Sequence, residues 1–450
     1  MKITVIGGGS LLWAFGFARQ FVGSRSLEDV TLVLMDLNAE ALELVGTAAG
    51  ICNRLAGSPI TIETTTERDA ALDGADFVVV SISTGGLAAM RHDIEIPERY
   101  GIWHTVGDTV GPGGWSRALR NIPVFFDLAE AMSRLCPSAW LINVSNPLSV
   151  LTRVPQREFG IRSIGCCPGV DEHARTLARL AGSGPEARLD YVVTGIDHGS
   201  WFTRLHADGV DVIGELRELG YCRSDGDLPS EVETADPLAE AASSRAVFAI
   251  WRETGFMPAI NDRHAVENWP WFLARPDERS IPFGLKRTTV EERAERYALR
   301  RRRLEEYIAS DGEEEHGAGH GDDPVLQVIE ALSGHGSFLS GANYMNAGQI
   351  PGLPEGAVVE TRCRFDAAGV HPLASPMPPL VKAMVLPQVL RQEAVIDIAL
   401  SGGFDELAAL VLTDPLCSRL EMGECRRMLR EMLEANSQLI RNPRLLESGA

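Results

Sequence analysis

The chain runs Lys2-Ile3-Thr4-Val5-Ile6 into Gly7-Gly8-Gly9-Ser10 before any helical pattern begins. Few openings restrict a fold more. An apolar run this continuous reads as a strand covered on both faces, the habit of parallel α/β sheets. Consecutive glycines let backbone N–H groups approach a pyrophosphate at the start of the next helix. The third glycine of the dinucleotide fingerprint is absent, with Leu12 in its place. Residues 30–35 read as a second strand. Asp36 at its end is placed to accept from a ribose hydroxyl, which favours NAD over NADP.

The alternation continues. Residues 39–55 have helical periodicity, 61–65 and 77–82 read as strands, 123–135 as a helix and 140–144 as a further strand. The expectation is a Rossmann-type doubly wound parallel sheet over residues 1–199. Beyond residue 200 helical periodicity dominates 239–254, 289–310 and 379–400, with short strand-like pieces such as 357–361. Residues 200–450 therefore read as an α+β domain for substrate binding and oligomerisation. Ser83 and Thr84 lie at the carboxyl end of the fourth strand and Asn143 at the end of the fifth, where a dinucleotide crosses an open sheet. With Gly7, Gly8, Gly9, Ser10 and Asp36 they form the candidate cofactor set.

A net charge of −20 argues against nucleic acid or an anionic membrane as partner. No stretch approaches the ~20 apolar residues of a membrane span. The N-terminus enters a strand directly, without a charged leader, so a cytoplasmic protein is expected. The eight scattered cysteines read as free thiols.

Three further segments point to chemistry. Residues 105–114 hold four glycines and a proline among small polar residues, a density that implies close backbone approach, with Arg117 and Arg120 following. Asn146, just past a buried strand, has the donors and acceptor to meet sugar hydroxyls or a nicotinamide. Cys167 and His198 each end an apparent strand. A thiolate and an imidazole so placed can hold a divalent metal and leave coordination positions open.

Together these segments resemble glycoside hydrolase family 4. The likeness rests on the glycine-rich entry, Tyr100-Gly101, residues 106–114, Arg117-Ala118-Leu119-Arg120, residues 143–147, Gly165 to Cys167 and Gly195-Ile196-Asp197-His198. It extends to Asn346-Ala347-Gly348-Gln349-Ile350, Val358-Val359-Glu360 and Asp414-Pro415-Leu416. Asp108-Thr109-Val110-Gly111, the Cys166-Cys167 pair and Asp262-Arg263-His264 are most similar to the α-galacturonidase branch. The resemblance implies a fold like lactate and malate dehydrogenases, tightly bound NAD, Mn2+ or another divalent metal, and a homodimer or homotetramer. It also implies a redox-neutral reaction outside the two-carboxylate scheme: oxidation at C3 of the sugar, deprotonation at C2, then 1,2-elimination and addition of water.

On this chain the resemblance puts the metal on Cys167 and His198 and sugar hydroxyls on Asn146. Two departures follow. Pro168 stands where several relatives carry an acid; the alternatives are that Asp171, Glu172 or His173 substitutes, that the leaving group needs little help, or that the anomeric preference differs. No tyrosine lies between Tyr221 and Tyr297 to act as the C2 base, so His264 is the first candidate and Asp262 the second. Arg91, Arg263, Lys286 and Arg287 are candidates to hold a substrate carboxylate. The expected substrate is a small glycoside, an α-galacturonide or related uronide. The alternatives are a neutral hexoside, a 2-hydroxy-acid dehydrogenase on the same fold, or a catalytically silent NAD-binding regulator.

Overall fold

The computed structural model describes residues 1–27, 29–222, 231–232, 242–269, 271–273, 285, 287–313 and 323–447. Strands β1 (Lys2–Ile6), β2 (Thr31–Met35), β3 (Thr61–Thr65), β4 (Phe77–Val80), β5 (Trp140–Asn143) and β6 (Arg162–Gly165) lie in the order β3-β2-β1-β4-β5-β6. All five pairings between them are parallel. This is the dinucleotide-binding order, with its switch point between β1 and β4.

Alternate side chains of these strands enter different cores. Ile3, Val5 and Val79 join one buried cluster, whereas Ile6, Val78 and Val80 join the other. Each such side chain contributes about 1.5–3 kcal/mol on burial, so the apolar runs fix a sheet with helices on both faces. The first helix is Ala14–Gly23.

The sheet does not end with the N-terminal half. The strand Phe338–Met345 adds antiparallel to β6 through Asn343 and Gly165, and Val358–Asp366 pairs with it. Val358–Asp366 then pairs with β7 (Leu189–Gly195), which pairs with β8 (Trp201–Ala207). Two strands from the C-terminal half thus stand between β6 and β7, and the boundary expected at residue 199 crosses a continuous sheet. All eight cysteines are free thiols. Among the described residues no helix is long and apolar enough to cross a membrane.

Candidate active site

The glycine turn is held by close approach. Gly7 and Gly8 both donate to Met35 O, at 2.9 and 2.7 Å. Gly7 has φ +95°, and a Cβ there would lie 2.0 Å from Ser81 O; a Cβ on Gly8 would lie 2.7 Å from Met35 N. Asp36 accepts from Gly9 N at 2.9 Å and Asn38 N at 2.9 Å, so its carboxylate fixes the turn at the end of β2. Ser10 is partly exposed beside it, and Ser83 is exposed beyond β4. Thr84 is tied to Asn121 Oδ1 through both its N–H and its hydroxyl. A tight glycine turn at the end of β1, a positioned acid and open small residues at the switch point fit a dinucleotide.

Asn143 has a different task from the expected one. It is fully buried, donating to Ser145 O, Leu148 O and Thr152 Oγ1 and accepting from Ser145 N. It shapes the end of β5 and presents nothing to a ligand.

Cys167 and His198 follow β6 and β7. The inserted strands separate β6 from β7 within the sheet, yet Cys167 Sγ lies 3.8 Å from His198 Nε2. His198 adopts φ +59°, a left-handed turn that sets its ring toward the thiol. The loop at 105–111 closes over the pair and is anchored on both flanks. Glu267 Oε1 accepts from Val106 N and Gly107 N at 2.9 and 2.8 Å. Asp414 Oδ2 accepts from Gly111 N at 3.2 Å and Trp115 Nε1 at 2.8 Å.

So held, the loop delivers Asp108 and Thr109. Thr109 Oγ1 donates to Asp108 Oδ1 at 2.8 Å and lies 2.8 Å from His198 Nδ1. With the hydroxyl proton given to Asp108, its oxygen accepts from Nδ1–H. That assigns the tautomer and leaves the Nε2 lone pair facing Cys167. Asp108 Oδ2 accepts from Asn146 Nδ2 at 3.2 Å, and Arg117 Nε donates to Asn146 O at 2.8 Å.

His264 stacks on His198 with ring centroids 3.6 Å apart. Its Nδ1 is buried and has no hydrogen-bond partner among the described residues. Burial first, then the adjacent His198, holds the His264 pKa well below the ordinary imidazole range. Burial opposes ionisation of Asp108, yet His264, His198 and Arg117 together hold its pKa below the usual carboxylate range. Burial, then the charges of Asp197 and Glu360, pushes the Cys167 thiol well up. A raised thiol beside an imidazole with a free lone pair is a donor set that a first-row divalent cation would complete, and the residues fit such an ion.

Other candidates fall elsewhere. Asp262 is fully buried and accepts from Ala246 N at 3.0 Å and Val247 N at 2.8 Å, at the start of the helix Arg245–Thr254. Its carboxylate serves that helix, which removes it as a base. Arg91 is paired with Glu95 and Glu291, and Arg287 with Glu98 over the Trp103 ring. Both line an open cleft that includes none of Asp108, Cys167, His198 and His264, and their charges are already matched. Arg263 is buried and donates to Thr105 O at 3.3 Å. Lys286 lies outside the described residues. Of the substitutes for the missing acid, Asp171 accepts from Tyr191 and Ser340, and His173 is buried with neither ring nitrogen hydrogen-bonded among the described residues.

Sequence reasoning gave no role to Asp108, Thr109 or Arg293. The glycine density flagged the loop that carries the first two. Arg293, whose Nη2 donates to Val106 O at 2.9 Å, sits in the first turn of the helix Val290–Ala309 and had no local signal.

Fold and site together define a dinucleotide-fold protein with a thiol–imidazole centre at the carboxyl edge of its sheet. The chain belongs to family 4 of the glycosyl hydrolases: residues 2–182 match the family 4 glycosyl hydrolase model and residues 193–417 its C-terminal domain. The alpha-galacturonidase of Thermoanaerobacterium saccharolyticum is 33% identical over 451 residues, covering 96% of this chain and 95% of that one. A Bacillus subtilis protein solved as a candidate glucosidase superposes with a TM-score of 0.87 at 30% identity, over 96% of this chain and 99% of that one. A 6-phospho-alpha-glucosidase from gut microorganisms, in complex with NAD and Mn2+, superposes with a TM-score of 0.80 at 22% identity, over 98% and 99% of the two chains.

Proposed function

We propose that this protein is a glycosidase dependent on NAD and a divalent metal, acting on an α-galacturonide or related uronide. The observation that carries the reading is the Cys167–His198 pair, with Nε2 turned to the thiol and Asn146, Asp108 and His264 around it. The alpha-galacturonidase relative supports the choice of sugar.

Gly7, Gly8, Gly9, Ser10 and Asp36 would hold NAD, with Ser83 at the rim, and Cys167 and His198 would hold Mn2+. When bound, these groups supply hydride exchange at C3 and polarisation of the sugar oxygens. The chain's own residues do the rest. Asn146 binds and orients the sugar hydroxyls, itself aligned by Asp108 and Arg117. His264 Nδ1, buried and without a hydrogen-bond partner among the described residues, takes the C2 proton. Arg117, Arg263 and Arg293 bring positive charge beside Asp108, where a substrate carboxylate can be matched. The loop at 105–111 holds His198 in place through Thr109. In this reading the protein is a cytoplasmic homodimer or homotetramer, with no nucleic-acid or membrane partner.

The test is a panel of aryl glycosides and glycuronides supplied with NAD+ and Mn2+ under reducing conditions. Aglycone release from the α-galacturonide without net NADH supports the reading. Net NADH without aglycone release would instead identify a dehydrogenase on the same fold.

A further inference from the structure

We infer that Asp197 is a third protein ligand to the metal, making the centre a cysteine–aspartate–histidine set. The inference rests on the metal-dependent reading above. Asp197 immediately precedes His198 and is 1% exposed, yet neither carboxylate oxygen accepts a hydrogen bond from an N–H or O–H among the described residues. A buried carboxylate is costly unless a cation or donors compensate it.

Among the described residues its carboxylate is met by the Cys167 thiol, a hydrogen bond that is lost once that thiol ionises to bind a metal. His198 Nδ1 lies 3.6 Å from Asp197 Oδ2, outside hydrogen-bond range, and is already served by Thr109 Oγ1 at 2.8 Å. His198 therefore does not need Asp197 to orient it. The next buried carboxylate, Glu360, takes its hydrogen bond from Asn343 Nδ2 at 3.0 Å.

The geometry suits a common ion. One donor atom each from Cys167, Asp197 and His198 lie within 4.8 Å of one another. Metal–ligand bonds of about 2.0–2.3 Å bring donor pairs to about that separation or less. Asp108 forms a comparable group with His198 and His264, but its oxygens already accept from Thr109 and Asn146. A thiolate and a carboxylate also neutralise a divalent ion in a buried site, and three protein ligands leave positions open for sugar oxygens.

The test measures Mn2+ itself. Equilibrium dialysis compares the wild-type protein with Asp197→Asn, and a crystal structure of the Mn2+-loaded wild type locates the ion. A first-sphere role predicts that Asp197→Asn weakens Mn2+ by more than about 100-fold, the ceiling for losing a residue that only supports a ligand. It also predicts an Asp197 oxygen at about 2.0–2.2 Å from the ion. The wild-type crystal decides even if the variant fails to fold. If the wild type binds Mn2+ but the variant matches it, or the ion lies beyond about 3 Å from both oxygens, Asp197 is not a ligand and the metal reading stands. If the wild type takes up no stoichiometric Mn2+, the metal-dependent reading falls and this inference with it.

Discussion

Thr109 and His198 are joined side chain to side chain, Oγ1 to Nδ1 at 2.8 Å, and the Thr109 hydroxyl donates its hydrogen bond to Asp108. One hydroxyl thereby fixes which nitrogen of His198 faces Cys167. Thr109 is 1% exposed, so water cannot replace it.

Thr109→Val keeps the shape and removes the oxygen. Mn2+ affinity is expected to fall about 10–100-fold. The unsatisfied Nδ1–H should also cost about 1–3 kcal/mol of stability. Thr109→Ser should restore most of both. Metal titration and thermal melts of the two variants check this.

His264 and Asp262 are two residues apart and have opposite expected phenotypes. His264→Gln should lower kcat by about 10²–10⁴ with a nearly unchanged melting temperature, because it removes the C2 base. Asp262→Ala should instead cost about 1–2 kcal/mol by uncapping Arg245–Thr254. Steady-state kinetics beside denaturant unfolding separate them. Equal kinetic damage in both would contradict the division of roles.

His173 provides a pH signature. Burial lowers its pKa from the ordinary 6.5 to about 3. The folded value lies below the unfolded one, so the unfolded chain takes the proton first as pH falls. Stability from this residue is complete above about pH 6.5 and declines by about 1.4 kcal/mol per pH unit toward pH 3. His173→Leu should lose less stability than the wild type between pH 7 and pH 5. Unfolding curves at both pH values measure the difference.

Legibility in the sequence followed locality. β1, β4 and β5 could be read directly because each is a short run dominated by apolar residues whose burial is its own signal. The strand Phe338–Met345 could not, because it buries Ser340 and Asn343 and its neighbour β6 is more than 170 residues away. Cys167 and His198 were recognised from strand ends and family motifs, but their alignment depends on Thr109, brought by a distant loop. Asp262 looked chemical because it neighbours His264. Its partners, Ala246 and Val247, belong to a helix folded back onto it.

Deprotonation at C2 during cleavage is tested most directly by turnover of an aryl α-galacturonide in D₂O with NAD+ and Mn2+. The expected result is aglycone release with deuterium at C2 of the released sugar, and loss of both in Cys167→Ser. Aglycone release with hydrogen retained at C2, or full activity in Cys167→Ser, would contradict it.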